Sequence, residues 1–347
     1  MRRRKFAGIQ ALRAIAALMV VSHHACGQIS KNLGAEPLLS LNGTGGRGVD
    51  LFFAISGFII FYAHSHELDD PAAVTPYLWK RLLRILPSTV AVATGWLLLT
   101  EVSAMIGLKA PEIDFETWLS SAFVLPMLKP TAPIVIWSLR NEFVFYGLFC
   151  LALVNVRLGA AALAAWFAAC LVVPTAGPLF EIGTDIFYNT AFSRINVIFV
   201  FGAIAFLAMR HFPVRQAAHA FLPLLALFGF TAYHYADESS MSYVYLGIIA
   251  SALVYCAAQV ESSNLLARIA EMLGDASYAI YLVHLPVIAV VFRPLSAMSL
   301  PADVVWIIEI ACVVFASLLF YRLFEKPVAR LSAKTLRAYT ARAQASG

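Results

Sequence analysis

The 347-residue chain is strongly apolar for a folded protein. Hydrophobic residues make up 61% of it and charged residues only 13%, whereas a soluble globular domain carries about 25% charged residues. The net charge of +5 comes from Lys and Arg residues that lie between apolar runs and do not form one basic face, so it does not indicate nucleic-acid binding. The composition therefore excludes an ordinary soluble domain and predicts a protein that is embedded in lipid.

Apolar runs recur along the chain at the length of membrane-spanning helices, for which about 20 residues are needed. Ten runs lie near 9–28, 47–65, 84–107, 136–155, 159–174, 191–210, 219–235, 241–259, 274–293 and 303–324. The apolar segment 115–127 is too short to span and is interpreted as interfacial or re-entrant. We expect an all-α fold, a polytopic transmembrane helical bundle of about ten spans, with a single membrane domain at 1–330 and a basic cytoplasmic tail at 331–347.

The distribution of positive charge predicts the orientation of the bundle. Most Lys and Arg residues fall at the two termini and in the loops on the same side, so both termini are expected in the cytoplasm. The first apolar run follows a charged start as in a signal peptide, but it has no clear cleavage site and more spans follow. We therefore expect a multi-pass protein of the cell inner membrane. The five cysteines have no metal-ligand spacing, and neither a metal nor a permanently bound cofactor is expected.

The first span carries ionisable residues, which cost about 2.5–3.5 kcal/mol each inside lipid by insertion scales and so indicate function. On a helix, Arg13 and His24 lie about 20° apart in direction and about 16 Å apart along the axis, while His23 points about 80° away from Arg13. Arg13 and His24 are therefore expected to line one wall. The alternative is a snorkelling arginine and a histidine bonded to a neighbouring carbonyl.

Charged residues also lie at the starts of the second and third spans. Asp50 follows a glycine-rich turn at a depth similar to that of His24, where a carboxylate would fix the histidine tautomer and raise its basicity; it could instead cap the helix. Arg81 and Arg84 share a helix face. Paired guanidinium groups suit phosphate oxygens, and the alternative is that they only anchor the helix at the cytoplasmic border.

Two later helices each carry a polar stripe at helical spacing. The stripes consist of Ser138, Glu142 and Tyr146 in WSLRNEFVFY and of Ser277, Tyr281 and His284 in SYAIYLVHLP. In the first helix, Glu142 is expected to point inward and to find a partner in Arg140 or His24, although Arg140 itself faces away from the stripe. The second stripe indicates either a substrate-binding wall or a polar seam between helices.

Six segments in this order resemble the acyltransferase 3 family of membrane acyltransferases. They are RAIAALMVVSHH, GVDLFFAISGFII, KRLLRILP, WSLRNEFVFY, SYAIYLVHLP and FEKP, which together extend from Arg13 to Pro327. The resemblance implies a ten-span O-acyltransferase that takes an acyl group, often acetyl, from a cytosolic coenzyme A thioester. The acceptor it implies is a sugar hydroxyl of lipopolysaccharide, exopolysaccharide or a related glycan, and the short form of the chain is similar to acyltransferases of exopolysaccharide clusters.

The resemblance also implies roles for single residues. His24 corresponds to the catalytic histidine, Arg13 to its paired arginine, and Glu142 to the glutamate of the tryptophan-containing motif. With the reasoning above, the predicted catalytic residues are His24, Glu142 and Asp50, and the predicted substrate-binding residues are Arg13, Arg81, Arg84, Ser138, Tyr281 and His284. Acetyl-CoA or another acyl-CoA is expected as a donor substrate. The expected partners are membrane lipid, the donor, and a polysaccharide or lipid-linked sugar acceptor, and no nucleic acid.

Two other functions are compatible with intramembrane charge. A secondary transporter or flippase also uses Arg, His and Glu for proton relays, but such carriers often have matching halves with broken helices, which the sequence does not display. A non-catalytic partner in a glycan-export complex would not need an ordered set of motifs. We therefore favour the acyltransferase. Its mechanism would use His24 as a general base or as a covalent carrier of the acyl group.

Overall fold

The computed structural model describes residues 6–126, 129–174, 186–234, 239–262 and 264–345, and over these residues it contains helices and no strand. The helices are α1 Ala7–Leu33, α2 Gly48–His64, α3 Val74–Met105, α4 Phe115–Ala122, α5 Trp137–Val154, α6 Val156–Val172, α7 Ile186–Ala191, α8 Val197–His211, α9 Phe221–His234, α10 Ser240–Ala257, α11 Leu265–Asp275, α12 Ser277–Ser296, α13 Ala302–Phe320 and α14 Lys326–Ala345. A π-helical turn at Tyr321–Glu325 joins α13 to α14.

The predicted spans coincide with helices. Within the described ranges, nine helical stretches are long and apolar enough to cross a membrane. The tenth predicted span, near 159–174, corresponds to α6, which is apolar but has 17 residues. The segment near 115–127 contains the eight-residue α4, too short to span, as expected. The all-α, multi-span architecture is thus confirmed.

Glycines allow α2 and α8 to lie in direct backbone contact. A Cβ atom on Gly57 would lie 2.1 Å from the carbonyl oxygen of Phe199, and one on Gly202 would lie 2.0 Å from that of Ala54. No larger side chain fits either position without moving a helix. Small residues let membrane helices approach closely where lipid offers no hydrophobic driving force, and this contact fixes α2 against α8.

Buried amides connect α5 to the start of α8. Asn141 donates to the side-chain oxygen of Asn196 at 2.9 Å, and both side chains donate to the backbone carbonyl of Thr190, at 3.2 and 2.8 Å respectively. A buried polar group costs stability unless it is hydrogen-bonded. This network therefore holds α5, which carries the first polar stripe, in one orientation.

Helix α1 lies at the centre, in contact with α2, α11, α12 and α13. The short helix α11 was not anticipated as a separate element, and the ninth span begins after it at Ser277 and not at 274. Gly274 lets α11 reach α1, since a Cβ atom there would lie 2.3 Å from the carbonyl oxygen of Gln10. Arg13 and His24 of α1 accordingly lie against other parts of the protein.

Candidate active site

A cavity of about 280 Å³ lies among α1, α2, α3, α5 and α12. Its charged lining residues are Arg13, Arg81, Arg84 and Glu142, and most of the remaining wall is aromatic or aliphatic. Predicted residues from four separate helices thus meet in one place. A cavity with an apolar wall and a few convergent polar groups is the usual form of a small-molecule site.

One end of the cavity is positively charged, and we call it the arginine end, formed by Arg13, Arg81 and Arg84. Arg13 donates to the amide oxygen of Gln10 at 3.3 Å, and Gln10 donates to the carboxylate of Asp275 at 2.5 Å. Three guanidinium groups and one carboxylate line the cavity wall. Guanidinium groups suit phosphate oxygens, which they can bind through two parallel hydrogen bonds.

Glu142 lies on the cavity wall, as its stripe predicted, but its partners differ from the expected ones. Its carboxylate accepts hydrogen bonds from the Ser56 hydroxyl at 2.7 Å and from the Tyr146 hydroxyl. Arg140 faces away from the cavity and donates to groups in and after α4. The expected pairing of Glu142 with Arg140 or His24 is therefore wrong, because two hydroxyl groups nearer to the carboxylate satisfy it.

At the other end of the cavity, the two polar stripes meet. The Tyr281 hydroxyl donates to the carbonyl of Val135 at 2.8 Å and shares a hydrogen bond of 2.7 Å with the Ser138 hydroxyl. Both Ser138 and Tyr281 line the cavity. The ring of Tyr281 also lies 6.0 Å from the ring of His284. Tyr281 therefore connects the cavity wall to the histidines beyond it.

We call His24 and His284 the histidine pair, because their ring centroids lie 5.2 Å apart. His284 is fully buried, and its Nδ1 lies 3.3 Å from the carbonyl oxygen of Ile280. A carbonyl only accepts, so Nδ1 carries the hydrogen and Nε2 is an acceptor. This Nε2 has no hydrogen-bond partner among the described residues. His24 is half-buried, so part of its ring is accessible.

The structure does not bring all the predicted catalytic residues into one cavity. Arg13 and Glu142 line the cavity, but His24 and Asp50 do not. Asp50 lies in the first turn of α2 and is paired with Arg47, three residues before it, at 3.6 Å. Arg47, in the turn before α2, was available as a partner for the buried carboxylate. The expected contact of Asp50 with His24 is therefore not formed, His24 does not share the cavity wall with Arg13, and neither carboxylate hydrogen-bonds to His24.

His23 contacts the glycine-rich turn before α2. The backbone N–H of Gly43 donates to its Nδ1 at 3.2 Å. The same loop approaches the backbone of α1 closely at Gly45, where a Cβ atom would lie 2.4 Å from the carbonyl oxygen of Met19. His23 is thus directed at a loop and does not line the cavity, as its helical phase predicted.

Several residues of the site were not identified from the sequence. Gln10 could have been found, because it lies three residues before Arg13 on the same helix face. Asp275 and Ser56 gave no local signal, since their partners Gln10 and Glu142 lie on other helices. Contacts between distant helices depend on their packing, which spacing along one helix does not reveal.

Comparisons with known proteins identify the family of the chain. The family model described as an acyltransferase domain, that of the acyltransferase 3 family, matches residues 6–323. The exopolysaccharide production protein ExoZ of Rhizobium meliloti (strain 1021) is 27% identical over 303 residues, which cover 82% of this chain and 90% of that protein. No solved structure is significantly similar to the chain. Because the family model covers nearly the whole chain, the protein belongs to the acyltransferase 3 family and is a multi-pass membrane acyltransferase.

Proposed function

We propose that the protein is an O-acyltransferase of the inner membrane that moves an acetyl group from acetyl-CoA to a hydroxyl of a cell-surface glycan or its lipid-linked precursor. The observation that carries the proposal is that the arginine end lies on the cavity wall, while the histidine pair lies beyond that wall, in ring contact with its Tyr281. An acyl-CoA donor likewise has a charged nucleotide at one end and a reactive thioester at the other. The family membership supports the transfer reaction.

The arginine end would hold the donor nucleotide. Phosphate oxygens of coenzyme A would accept hydrogen bonds from Arg81 and Arg84, with Arg13 adding charge from α1. The pantetheine arm would then lie along the mainly apolar cavity wall, where Glu142 and the Ser138 hydroxyl can bind its amide groups. Arg13 and His24 are separated by about 16 Å along α1, a distance that a long flexible arm can cover.

The chemistry would take place at His24. A neutral imidazole nitrogen removes the proton from the acceptor hydroxyl while the oxygen attacks the thioester carbonyl carbon. The carbon–sulfur bond then breaks, and the departing thiolate takes the proton from the imidazolium. Donor and acceptor exchange an acyl group for a proton, and no other reactant is needed. His284, in ring contact with His24, would keep the His24 ring in place.

The acceptor is proposed from the relative. ExoZ is named for exopolysaccharide production, so we infer that the hydroxyl belongs to an exopolysaccharide or to a lipid-linked sugar from which it is made. Because His24 lies about 16 Å along α1 from Arg13, we infer that the acceptor approaches from the other membrane face. Donor and acceptor could then bind at the same time.

Purified protein in lipid nanodiscs would test the proposal. With acetyl-CoA labelled in the acetyl group, we expect release of free coenzyme A and label in an added lipid-linked oligosaccharide fraction from the native membrane. Absence of both would contradict the donor assignment. Label that stays on protein denatured before the acceptor is added would indicate the covalent route, in which His24 carries the acyl group.

A further inference from the structure

One histidine outside the proposed reaction path lies beside the arginine end. His64 is the last residue of α2 and is only 2% exposed. Its Nδ1 lies 2.6 Å from a carboxylate oxygen of Glu67, and its Nε2 lies 2.7 Å from a terminal guanidinium nitrogen of Arg81. These contacts connect a carboxylate after α2 to a cavity arginine on α3 through a single imidazole.

The partners fix the protonation of this imidazole. A guanidinium group can only donate, so Nε2 of His64 must accept, and Nδ1 therefore carries the hydrogen that is donated to Glu67. Burial raises the pKa of Glu67, but the hydrogen bond from His64 and the nearby positive charges outweigh this effect and lower the pKa below its ordinary value. One of these charges is Lys80, at 3.8 Å. His64 thus lies between a carboxylate and a guanidinium as a neutral, single tautomer.

Aromatic rings hold the same guanidinium from two more sides. Its central carbon lies 5.5 Å from the ring centroid of Tyr77 and 5.6 Å from that of Tyr146, within the range of cation–π attraction. Tyr77 also meets the ring of His64 edge-on at 5.0 Å. The Nε atom of Arg81 has no hydrogen-bond partner within the part of the chain that the structure describes. The contacts of the guanidinium group with His64, Tyr77 and Tyr146 therefore hold the side chain in place.

We propose that His64 is a positioning residue, which together with Glu67 orients the guanidinium of Arg81 to bind a phosphate group of the donor. The inference rests on the proposed function. An arginine side chain has many rotamers, and fixing it before the ligand arrives lowers the entropy lost on binding. His64 supplies the acceptor that selects one rotamer, and Glu67 fixes the tautomer that makes this acceptor available.

The test uses His64→Phe in the full-length protein in nanodiscs. Phenylalanine keeps a ring against Tyr77 but removes both nitrogen atoms. We expect the KM for acetyl-CoA and the dissociation constant of coenzyme A to rise about tenfold, the usual effect of losing a hydrogen bond to a charged group, while kcat stays the same. His66→Phe is the matched control, because that histidine is 71% exposed and is 3.6 Å from the other oxygen of Glu67. It should leave both constants unchanged.

Two further variants separate positioning from a purely structural role. His64→Gln, whose amide can accept from Arg81 and donate to Glu67, should restore much of the donor affinity. In an Arg81→Ala background, His64→Phe should cause no further loss, because the two residues act through one contact. Additive losses, or a fall in kcat with unchanged KM, would overturn the positioning role.

The same measurements distinguish failure of this inference from failure of the proposed function. If the wild-type protein does not bind coenzyme A, the proposed donor is wrong and the inference falls with it. If the wild type binds coenzyme A and His64→Phe binds it equally well, only the role of His64 is overturned. Thermal unfolding of each variant in the absence of ligand identifies a loss of affinity that comes from misfolding.

Discussion

The two ends of α1 place ionisable side chains in contrasting surroundings. Arg13 opens onto the cavity, is connected through Gln10 to a carboxylate, and shares the space with the other arginines. His24 lies outside that cavity against another imidazole, and no described carboxylate hydrogen-bonds to it. The first environment suits a ligand group with permanent charge, and the second suits a group that gains and releases a proton. Binding and chemistry are thus assigned to different ends of one helix, and each prediction below tests that division.

The largest effect is expected at His24. His24→Ala should reduce acyl transfer by about 10²–10⁴-fold, the usual contribution of a general base, while coenzyme A binds as in the wild type because the arginine end is intact. Removing a polar group from a membrane helix should not reduce insertion. Transfer and donor binding would be measured on the same nanodisc preparation.

The neighbouring His23 is the matched control for that change. His23→Ala removes a histidine one position away that accepts from the Gly43 N–H and does not line the cavity, so most activity should remain. Equal activity of the wild type and His24→Ala would contradict the mechanism. Loss in both variants would mean that the first span is sensitive to packing, and the chemistry would then have to be located by trapping an acyl-enzyme.

The second largest effect is expected at the arginine end. Replacing Arg81 and Arg84 together by alanine should raise the dissociation constant of coenzyme A about 100-fold, because charge-assisted hydrogen bonds to phosphate are lost. The difference from the wild type should shrink at high salt, which screens the exposed part of the interaction. Calorimetric titration at two salt concentrations measures both effects.

An exposed arginine outside the cavity provides the control. Arg157→Ala changes the net charge by one unit at an exposed position near the start of α6, so it should leave donor affinity unchanged. If the Arg81 and Arg84 double variant binds coenzyme A like the wild type, the two residues serve only as topology anchors. The assignment of donor binding to the arginine end would then be wrong.

A smaller effect is expected for His284. In His284→Gln, the amide can replace the acceptor at Nε2 but not the ring that contacts His24, so kcat should fall about tenfold with little change in the KM for the donor. Kinetics at saturating acceptor separate the two constants. A rise in the donor KM with unchanged kcat would place His284 in the binding half of the site. Ser138→Ala, in the cavity wall, is a useful comparison, because it should act mainly on KM.

Much of the fold could be predicted because lipid imposes simple rules. The length of each apolar run defined a helix, and the helical phase correctly placed Glu142 on the cavity wall and Arg140 away from it. The separation of α11 from α12 could not be predicted in the same way. Helix α11 lies against the backbone of α1 at Gly274, and such a contact has no periodic signature.

The site was harder to predict than the fold because spacing along one helix specifies a direction but no partner. Arg81 and Arg84 were expected on one helix face, and both line the cavity. The partners of Glu142, by contrast, depend on how α2 lies against α5, which brings Ser56 within hydrogen-bonding distance. For the same reason the sequence could not reveal that His64 would reach Arg81 on α3.

The smallest effect is expected at Asp50. Asp50→Asn keeps an oxygen opposite Arg47, the partner at 3.6 Å, and removes only the negative charge. Because Asp50 makes no hydrogen bond to His24, kcat should change by no more than about threefold, far less than the loss of a general base would cause. The pH profile of kcat should keep its midpoint, since that midpoint reports the groups that exchange protons in the reaction. Asp50→Ala, which removes the carboxylate altogether, should instead lower the yield of folded protein, because it disrupts a buried ion pair. The decisive measurement is the pH profile of Asp50→Asn beside that of the wild type. A displaced midpoint would mean that the Asp50 carboxylate changes the protonation of His24 during turnover, although the two side chains form no hydrogen bond in the structure.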